Sequence, residues 1–385
     1  MSRQRAEESF TSVFGEPSLA QFSAPGRVNL IGEHTDYNEG FVLPFAIPQR
    51  TTVSAAMRED RTLRVHSADL GETVEMNLSD LSPEVLSGWS AYPLGVTWAL
   101  LESRPDQECL GVDIAVASEV PLGAGLSSSA ALESSVALAL NELWGLGLDL
   151  ADLALVGQRA ENTAVGAQTG IMDQMASVMG AAGHAVFLDC RTLQHELIPC
   201  DLGPDGYSFV VIDTNTRHSH ANGEYGQRRA SCEKAAATAG LPALRDLSVA
   251  DLPGLESKLD DETFRRARHI VTENERVVET VEALREGDLT RVGTLLVASH
   301  ESMRDDFEIS TSELDTQVEV ALEEGALGAR MTGGGFGGSV IALVATSMVD
   351  SLTATSKARA LARDMPETTI SVVVPSEGAT RHTSA

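Results

Sequence analysis

The chain is short of cysteine, of positive charge and of long apolar runs, and each shortage removes a class of function. Only four cysteines occur in 385 residues: Cys109, Cys190, Cys200 and Cys232. They form no Cys-x-x-Cys pair and no zinc-type spacing, so they read as free thiols of a reducing compartment. Lys and Arg number 28 against 56 Asp and Glu, for a formal net charge of −28. So acidic a surface repels nucleic acid and anionic membrane, and neither is an expected partner. The ordinary meaning of the charge is solubility. No apolar run is long enough to cross a bilayer. The stretch Met1–Phe10 lacks the apolar core of a secretory signal. A cytoplasmic monomer is the expectation. No internal repeat and no low-complexity tract is present.

What the chain does contain is enough length for two domains. Alternating apolar residues predict strands at Thr51–Met57, Thr62–Ser67 and Gly111–Ser118, the last with Val112, Ile114 and Val116 on one face. A Gly/Ser loop follows, and then a helix from Ala130 to about Leu146, with Leu132, Val136, Leu140 and Leu143 at helical spacing. Further helices are predicted over Ala151–Thr163 and from Ile171. The turn-rich Asp201–Gly206 marks a boundary, giving units 1–203 and 204–385. The second unit reads as a strand at Ser208–Asp213 and helices near 224–239, 262–286, 288–304 and 311–324. It ends with strands at Ala329–Thr332 and Ser339–Val344, a helix near 349–363 and a strand at Thr369–Val374. The polar tail Ser376–Ala385 is expected to be loose.

Three glycine-bearing motifs carry the chemistry. Pro25-Gly-Arg-Val-Asn-Leu-Ile-Gly-Glu-His-Thr-Asp-Tyr-Asn38 packs Arg27, Glu33, His34 and Asp36 into a dozen residues. Two carboxylates and an imidazole can grip several hydroxyls, each of which donates and accepts, and can reject an epimer that misplaces one. On its own the run could equally be a charged loop with incidental ion pairs. Gly123-Ala-Gly-Leu-Ser-Ser-Ser129 runs into a helix, whose first N–H groups point outward and favour an anion. It lacks the Lys of a Walker A loop. Met331-Thr-Gly-Gly-Gly-Phe-Gly-Gly338 contains G-x-G-x-x-G, but a strand follows it, so the dinucleotide reading fails on context. A tight turn approaching a ligand accounts better for five glycines around Phe336.

Together and in this order, the motifs resemble the superfamily of galactokinase, homoserine kinase, mevalonate kinase and phosphomevalonate kinase. The run Gly26–Asn38, with Gly40 and Val42-Leu-Pro44, narrows the resemblance to the galactokinases. Glu161, Gly170-Ile-Met-Asp-Gln174, Glu224-Tyr225, Arg228-Arg229, Ser302–Phe307 and Arg330–Thr332 extend it over most of the chain. One departure is Ser339, where galactokinases often carry Cys. The resemblance implies a two-domain α/β (α+β) fold, with an N-terminal phosphate-loop domain, a C-terminal ferredoxin-like domain and an active site in the cleft between them. It implies ATP-dependent phosphorylation of the anomeric hydroxyl of galactose, giving galactose 1-phosphate and ADP.

Carried onto this sequence, the resemblance makes Asp173 the hydroxyl orienter and proton acceptor, and Arg27 the stabiliser of the transferring phosphoryl group. It gives Glu33, His34, Thr35, Asp36, Gly170, Asp173 and Tyr225 to the sugar. Gly123, Ala124, Gly125, Leu126, Ser127, Ser128 and Ser129 go to the phosphates of ATP. Ser129 and Glu161 go to Mg²⁺, whose hard-oxygen chemistry suits a hydroxyl, a carboxylate, phosphates and water. Ser67 and Trp89 are assigned to the nucleotide side, Trp89 as a stacking surface. His34 could also be a satisfied core histidine. His218 and His220, two apart without a third ligand, read as surface residues. Two rival readings share the motifs: a kinase for N-acetylgalactosamine or another galactose-like sugar, and a galactose- and ATP-sensing regulator. The intact Ser127-Ser-Ser129 run argues against the second, because such relatives lack part of it.

Overall fold

The computed structural model describes residues 1–217 and 221–382. The first half comprises α1 (Ser2–Phe14), β1 (Ala20–Asn29), β2 (Phe41–Val42), β3 (Pro44–Met57), β4 (Thr62–Ser67), β5 (Glu72–Asn77), α2 (Ala91–Ser103) and β6 (Val112–Ser118). It continues with α3 (Ser128–Trp144), α4 (Leu150–Ala160), α5 (Met172–Met179), β7 (His184–Asp189) and β8 (His195–Pro199). The second half runs through β9 (Tyr207–Arg217), α6 (Ala221–Ala239), α7 (Leu252–Glu256), α8 (Asp261–Glu286), α9 (Leu289–Ser302) and α10 (Ser312–Glu323). It closes with β10 (Gly328–Thr332), β11 (Gly337–Ala345), α11 (Val349–Ala362), β12 (Thr369–Val373) and β13 (Thr380–His382). The fold is mixed α/β, with a six-stranded sheet β13-β1-β3-β6-β4-β5, a four-stranded sheet β10-β11-β9-β12 and a small sheet β2-β7-β8.

The large sheet is covered on both faces. Val53 and Ala55 of β3 join the core with Val136 and Leu140 of α3. The alternate residues Thr52 and Ser54 bond Ser2 and Glu7 of α1, as the two-residue strand period requires. Strand β6 is therefore buried along Val112–Ala117 rather than on one face. Periodicity does not announce α1, because Ser2, Ala6 and Phe10 alone are buried in its 13 residues. A second core mixes Leu30, Phe45 and Ile47 with Phe209, Val277 and Ile341, so the two halves bury apolar surface on each other.

The tail corrects the sequence expectation. Thr380 pairs with Ser23 as β13 extends the large sheet. Ser376 N–H donates to Ala46 O (2.8 Å), and Gly378 N–H to Gly180 O (2.7 Å). Arg50 adds bonds of 2.6 Å to the carbonyls of Glu377 and Gly378. A polar composition suggested freedom, but the open edge of β1 offers main-chain partners whatever the side chains are. Residues 383–385 lie outside the described residues, as do His218 and His220.

Candidate active site

All three motifs meet in a cleft of about 670 Å³. The first runs from the end of β1 into the loop before β2, the second lies between β6 and the start of α3, and the third spans the β10–β11 turn. They are bonded to one another. Gly333 N–H donates to Glu33 Oε1 (2.8 Å). Ser339 Oγ donates to Ala124 O (2.7 Å) from a fully buried position. The hydroxyl at this departure from the family pattern thus ties the third motif to the second.

The sugar-loop residues are built in. Glu33 is 2% exposed and pairs with Arg330 at 3.1 Å. Burial pushes its carboxyl up, while Arg330 and Arg27 pull it down. His34 is held at φ 64°, a left-handed conformation uncommon for a residue with a side chain. Its Nε2 lies 3.2 Å from Gly334 O and its Nδ1 2.7 Å from Tyr37 Oη. A carbonyl can only accept, so Nε2–H donates to it and Nδ1 accepts from Tyr37. Burial pulls the imidazole down to about 3, and it is neutral. His34 is therefore satisfied by protein and also faces the cleft. Asp36 accepts from Tyr37 N–H (2.9 Å). Burial, and then the charge of Asp173, raise its carboxyl to about 6. Gly170 must be glycine, because any Cβ there would overlap the Asp36 carboxylate. Tyr225 of α6 lines the cleft, with its ring 4.8 Å from that of His34. Thr35 turns inward, its hydroxyl 2.6 Å from Phe41 O, and its side chain is not among the cleft-lining groups.

Asp173, in the first turn of α5, sits where the first and second motifs meet. Arg27 Nε donates to its Oδ1 (2.8 Å), and Arg27 Nη1 to Gly125 O (2.6 Å). Ser127 Oγ donates to Asp173 Oδ2. That bond secures Ser127 at φ 54° as the N-cap of α3, a conformation that needs such support. Gly123, Gly125, Leu126, Ser127, Ser128 and Ser129 line the cleft at the start of α3, whereas Ala124 lies buried beneath them. Ser67 and Trp89 lie outside the lining. Local structure uses both: Ser67 Oγ accepts from Leu70 N–H (3.2 Å), and Trp89 Nε1 donates to Glu72 (2.8 Å).

Helix α4 ends in a π-helical turn, Glu161–Val165, a device frequent at functional sites. The turn buries Glu161, whose Oε2 accepts from Thr169 Oγ1 (2.7 Å) and Gln174 Nε2 (2.9 Å). Burial raises its carboxyl and the charge of Asp173 adds to the rise, against hydrogen bonds that include one from Ser129. Among the described residues, Glu33, Asp36, Glu161 and Asp173 line the cleft with Arg27 as the only Lys or Arg. Glu33 is already paired with Arg330; Asp36, Glu161 and Asp173 share Arg27, which leaves room for a cation, and the oxygen donors of Glu161 and Ser129 fit a hard divalent ion. Among the described residues no three His, Cys, Asp or Glu side chains converge to hold an ion by themselves. Phosphates and water would supply the remaining ligands.

Glu133 escaped the sequence reading. It lies one turn after Ser129 on α3, fully buried, and accepts from Gln174 Nε2 (2.9 Å). That same amide nitrogen also serves Glu161. Burial pushes the Glu133 carboxyl well up, and Glu161 adds to it. The i, i+4 spacing from Ser129 was available as a signal, but an acid in an apolar helix face ordinarily reads as solvated.

Among the described residues no helix is long and apolar enough to cross a membrane, and the four cysteines are free. Residues 8–57 match the galactokinase galactose-binding signature, 91–181 the GHMP kinase N-terminal domain and 280–367 the GHMP kinase C-terminal domain. The chain is 51% identical to a galactokinase of Streptomyces coelicolor over 97% of both chains. It is 50% identical to a galactokinase of Streptomyces lividans, over 92% of this chain and 89% of that one. The crystal structure of Lactococcus lactis galactokinase complexed with galactose superposes with a TM-score of 0.92 at 36% identity, covering 97% of this chain and 98% of the other. Methanococcus jannaschii mevalonate kinase, at 18% identity and a TM-score of 0.67 over 92% and 98% of the two chains, shares the fold. The chain belongs to the galactokinase family, within the GHMP kinases.

Proposed function

We propose that this chain transfers the γ-phosphoryl group of ATP to the anomeric hydroxyl of galactose, releasing galactose 1-phosphate and ADP. The observation that carries the mechanism is Asp173, fixed by Arg27 and Ser127 between the sugar loop and the phosphate loop. In this reading Asp173 orients the hydroxyl and takes its proton, and Arg27 offsets the charge that develops on the transferring group. Glu33, His34, Asp36, Gly170 and Tyr225 shape the sugar's seat, with Thr35 acting through the loop it braces. The N–H groups at the start of α3 receive the phosphates. Glu161 and Ser129 would hold Mg²⁺, which supplies charge neutralisation at the phosphates when bound. Ser67 and Trp89 are left to the purine end of the nucleotide, beyond the cleft lining. The reading takes residues 1–203 and 204–385 as the two domains, with β13 returning to the first. It has the chain as a cytoplasmic monomer, its free cysteines supporting a reducing compartment.

The test is ADP release by purified protein with galactose, glucose, N-acetylgalactosamine, arabinose or mevalonate, each with and without Mg²⁺. Turnover on galactose alone, abolished by chelation, is the expected result. Turnover favouring N-acetylgalactosamine would change the substrate. Galactose binding without ADP release would point to a sensor.

A further inference from the structure

The loop that seats the sugar is held by both halves of the chain: Thr35 and Cys190 bond its main chain from the first. Helix α8, from the second half, presents three polar side chains to it. His269 Nε2 donates to Glu33 O at 3.2 Å. One turn on, Glu273 Oε1 accepts from Gly32 N–H at 3.0 Å. Beside it, Asn274 Oδ1 accepts from Phe41 N–H at 2.9 Å. These contacts bracket the loop at both ends, and each is to main chain. They therefore fix where Glu33, His34 and Asp36 stand without touching the cleft.

The holders are themselves held. His269 and Glu273 are fully buried. Glu273 Oε1 also accepts from Ser299 Oγ (2.7 Å), and Oε2 from Arg276 Nε (2.7 Å). The Arg276 charge holds the Glu273 carboxyl down at about 2, against the opposing effect of burial. So complete a set of partners makes the acceptor rigid, because every alternative leaves a buried charge unpaired. Gly40 packs against Asn274 so closely that a Cβ would overlap its Oδ1. Contact this tight on main chain transmits a displacement of α8 directly to the loop.

We propose that His269, Glu273 and Asn274 are positioning residues for substrate binding: α8 sets the geometry of the 32–41 loop, and through it the affinity for galactose. The inference rests on the reading that this loop seats the sugar.

Asn274 is the residue to test, since it is only partly buried and its loss leaves the Glu273–Arg276–Ser299 cluster whole. Asn274→Ala leaves the Phe41 N–H without its acceptor, whereas Asn274→Asp keeps an oxygen in place. Galactose affinity is read by titration calorimetry and by steady-state KM, alongside the KM for MgATP and amide hydrogen exchange over residues 32–41. Asn274→Ala should weaken galactose about tenfold, the scale set by an orphaned donor, with faster exchange in the loop. Its kcat and MgATP KM should stay within about twofold, and Asn274→Asp should restore most of the affinity. Unchanged galactose affinity in Asn274→Ala, equal changes in both KM values, or no rescue by Asn274→Asp would each overturn the inference. A wild type that neither binds nor phosphorylates galactose would instead overturn the functional reading, and the inference with it.

Discussion

The two sides of the cleft differ in how their acids are compensated. On the sugar side, Glu33 is closed by Arg330 and Gly333, and both ring nitrogens of His34 have protein partners. Each side keeps a buried atom without a hydrogen-bond partner, Arg330 Nε behind Glu33 on the first and Glu133 Oε1 and Gln174 Oε1 on the second, so the contrast lies in how the acids are compensated. On the phosphate side burial raises the proton affinity of Glu133 and Glu161, Glu161 adds to the rise at Glu133, and the charge of Asp173 adds to both. A neutral, hydroxyl-bearing ligand is best met by a preformed set of dipoles, which costs little reorganisation on binding. A tetra-anionic nucleotide arrives with its own cation, so excess acid opposite a single Arg is a site awaiting charge. Asp173 belongs to both sides, which explains why it couples to Asp36 as well as to Glu161.

Three substitutions would sharpen or break this contrast. Asp173→Asn removes the proposed proton acceptor, the carboxylate bonded to both Arg27 and Ser127. Turnover should fall by about 10³-fold while galactose and MgATP still bind, and near-wild-type kcat in a coupled ADP assay would remove Asp173 from the chemistry. Arg27→Ala should cost kcat by about 10²-fold and galactose affinity far less. The reverse split in steady-state kinetics would make Arg27 part of the sugar's seat. The third change, Asp36→Asn, tests the sugar side through stability. The Asp36 carboxyl titrates near 6 in the fold against an ordinary 3.8. Between those pH values the folded chain therefore holds a proton that the unfolded chain has released. Ionised Asp36 thus lowers stability as pH rises through this window, and the full cost is present above about 6. At pH 7.5, Asp36→Asn should stabilise the ligand-free protein by up to about 3 kcal/mol. The gain should shrink as pH falls from 6 toward 4. Denaturant midpoints that are equal at pH 7.5 would show that the sugar side carries no such strain.

The motif residues were legible in part because their chemistry is local. The glycine run before a helix suggested a ligand loop directly, whereas the two acids beside an imidazole could equally have been a charged loop until the family resemblance joined the motifs; the structure brings them to one cleft. The strand ending at Ser118 followed from alternation, although the structure buries both its faces, and the expected helix from Ile171 is present as α5 with Ile171 at its N-cap. Glu133 was not legible, since spacing does not reveal that Gln174 of another helix bridges it to Glu161. Thr35 was assigned to the sugar by its place in the run, yet its hydroxyl is spent on Phe41 O. The tail was misjudged because a strand's partner edge has no sequence signature of its own.

By itself the sequence indicated the type of chemistry: backbone donors at a helix start and hydroxyl-binding acids from residue types and spacing, and, through the family resemblance alone, an Arg for phosphate and an acid for metal. Only the tertiary structure decided which groups are held, charged or left open. Those properties depend on burial and on partners from distant segments. Arg330 reaches Glu33 across about 300 positions of chain, and α8 reaches the first-motif loop across 236 to 241 positions. Long-range packing brings such groups together and strips them of water, and that desolvation sets His34 neutral, lifts Asp36 and leaves the phosphate side short of positive charge.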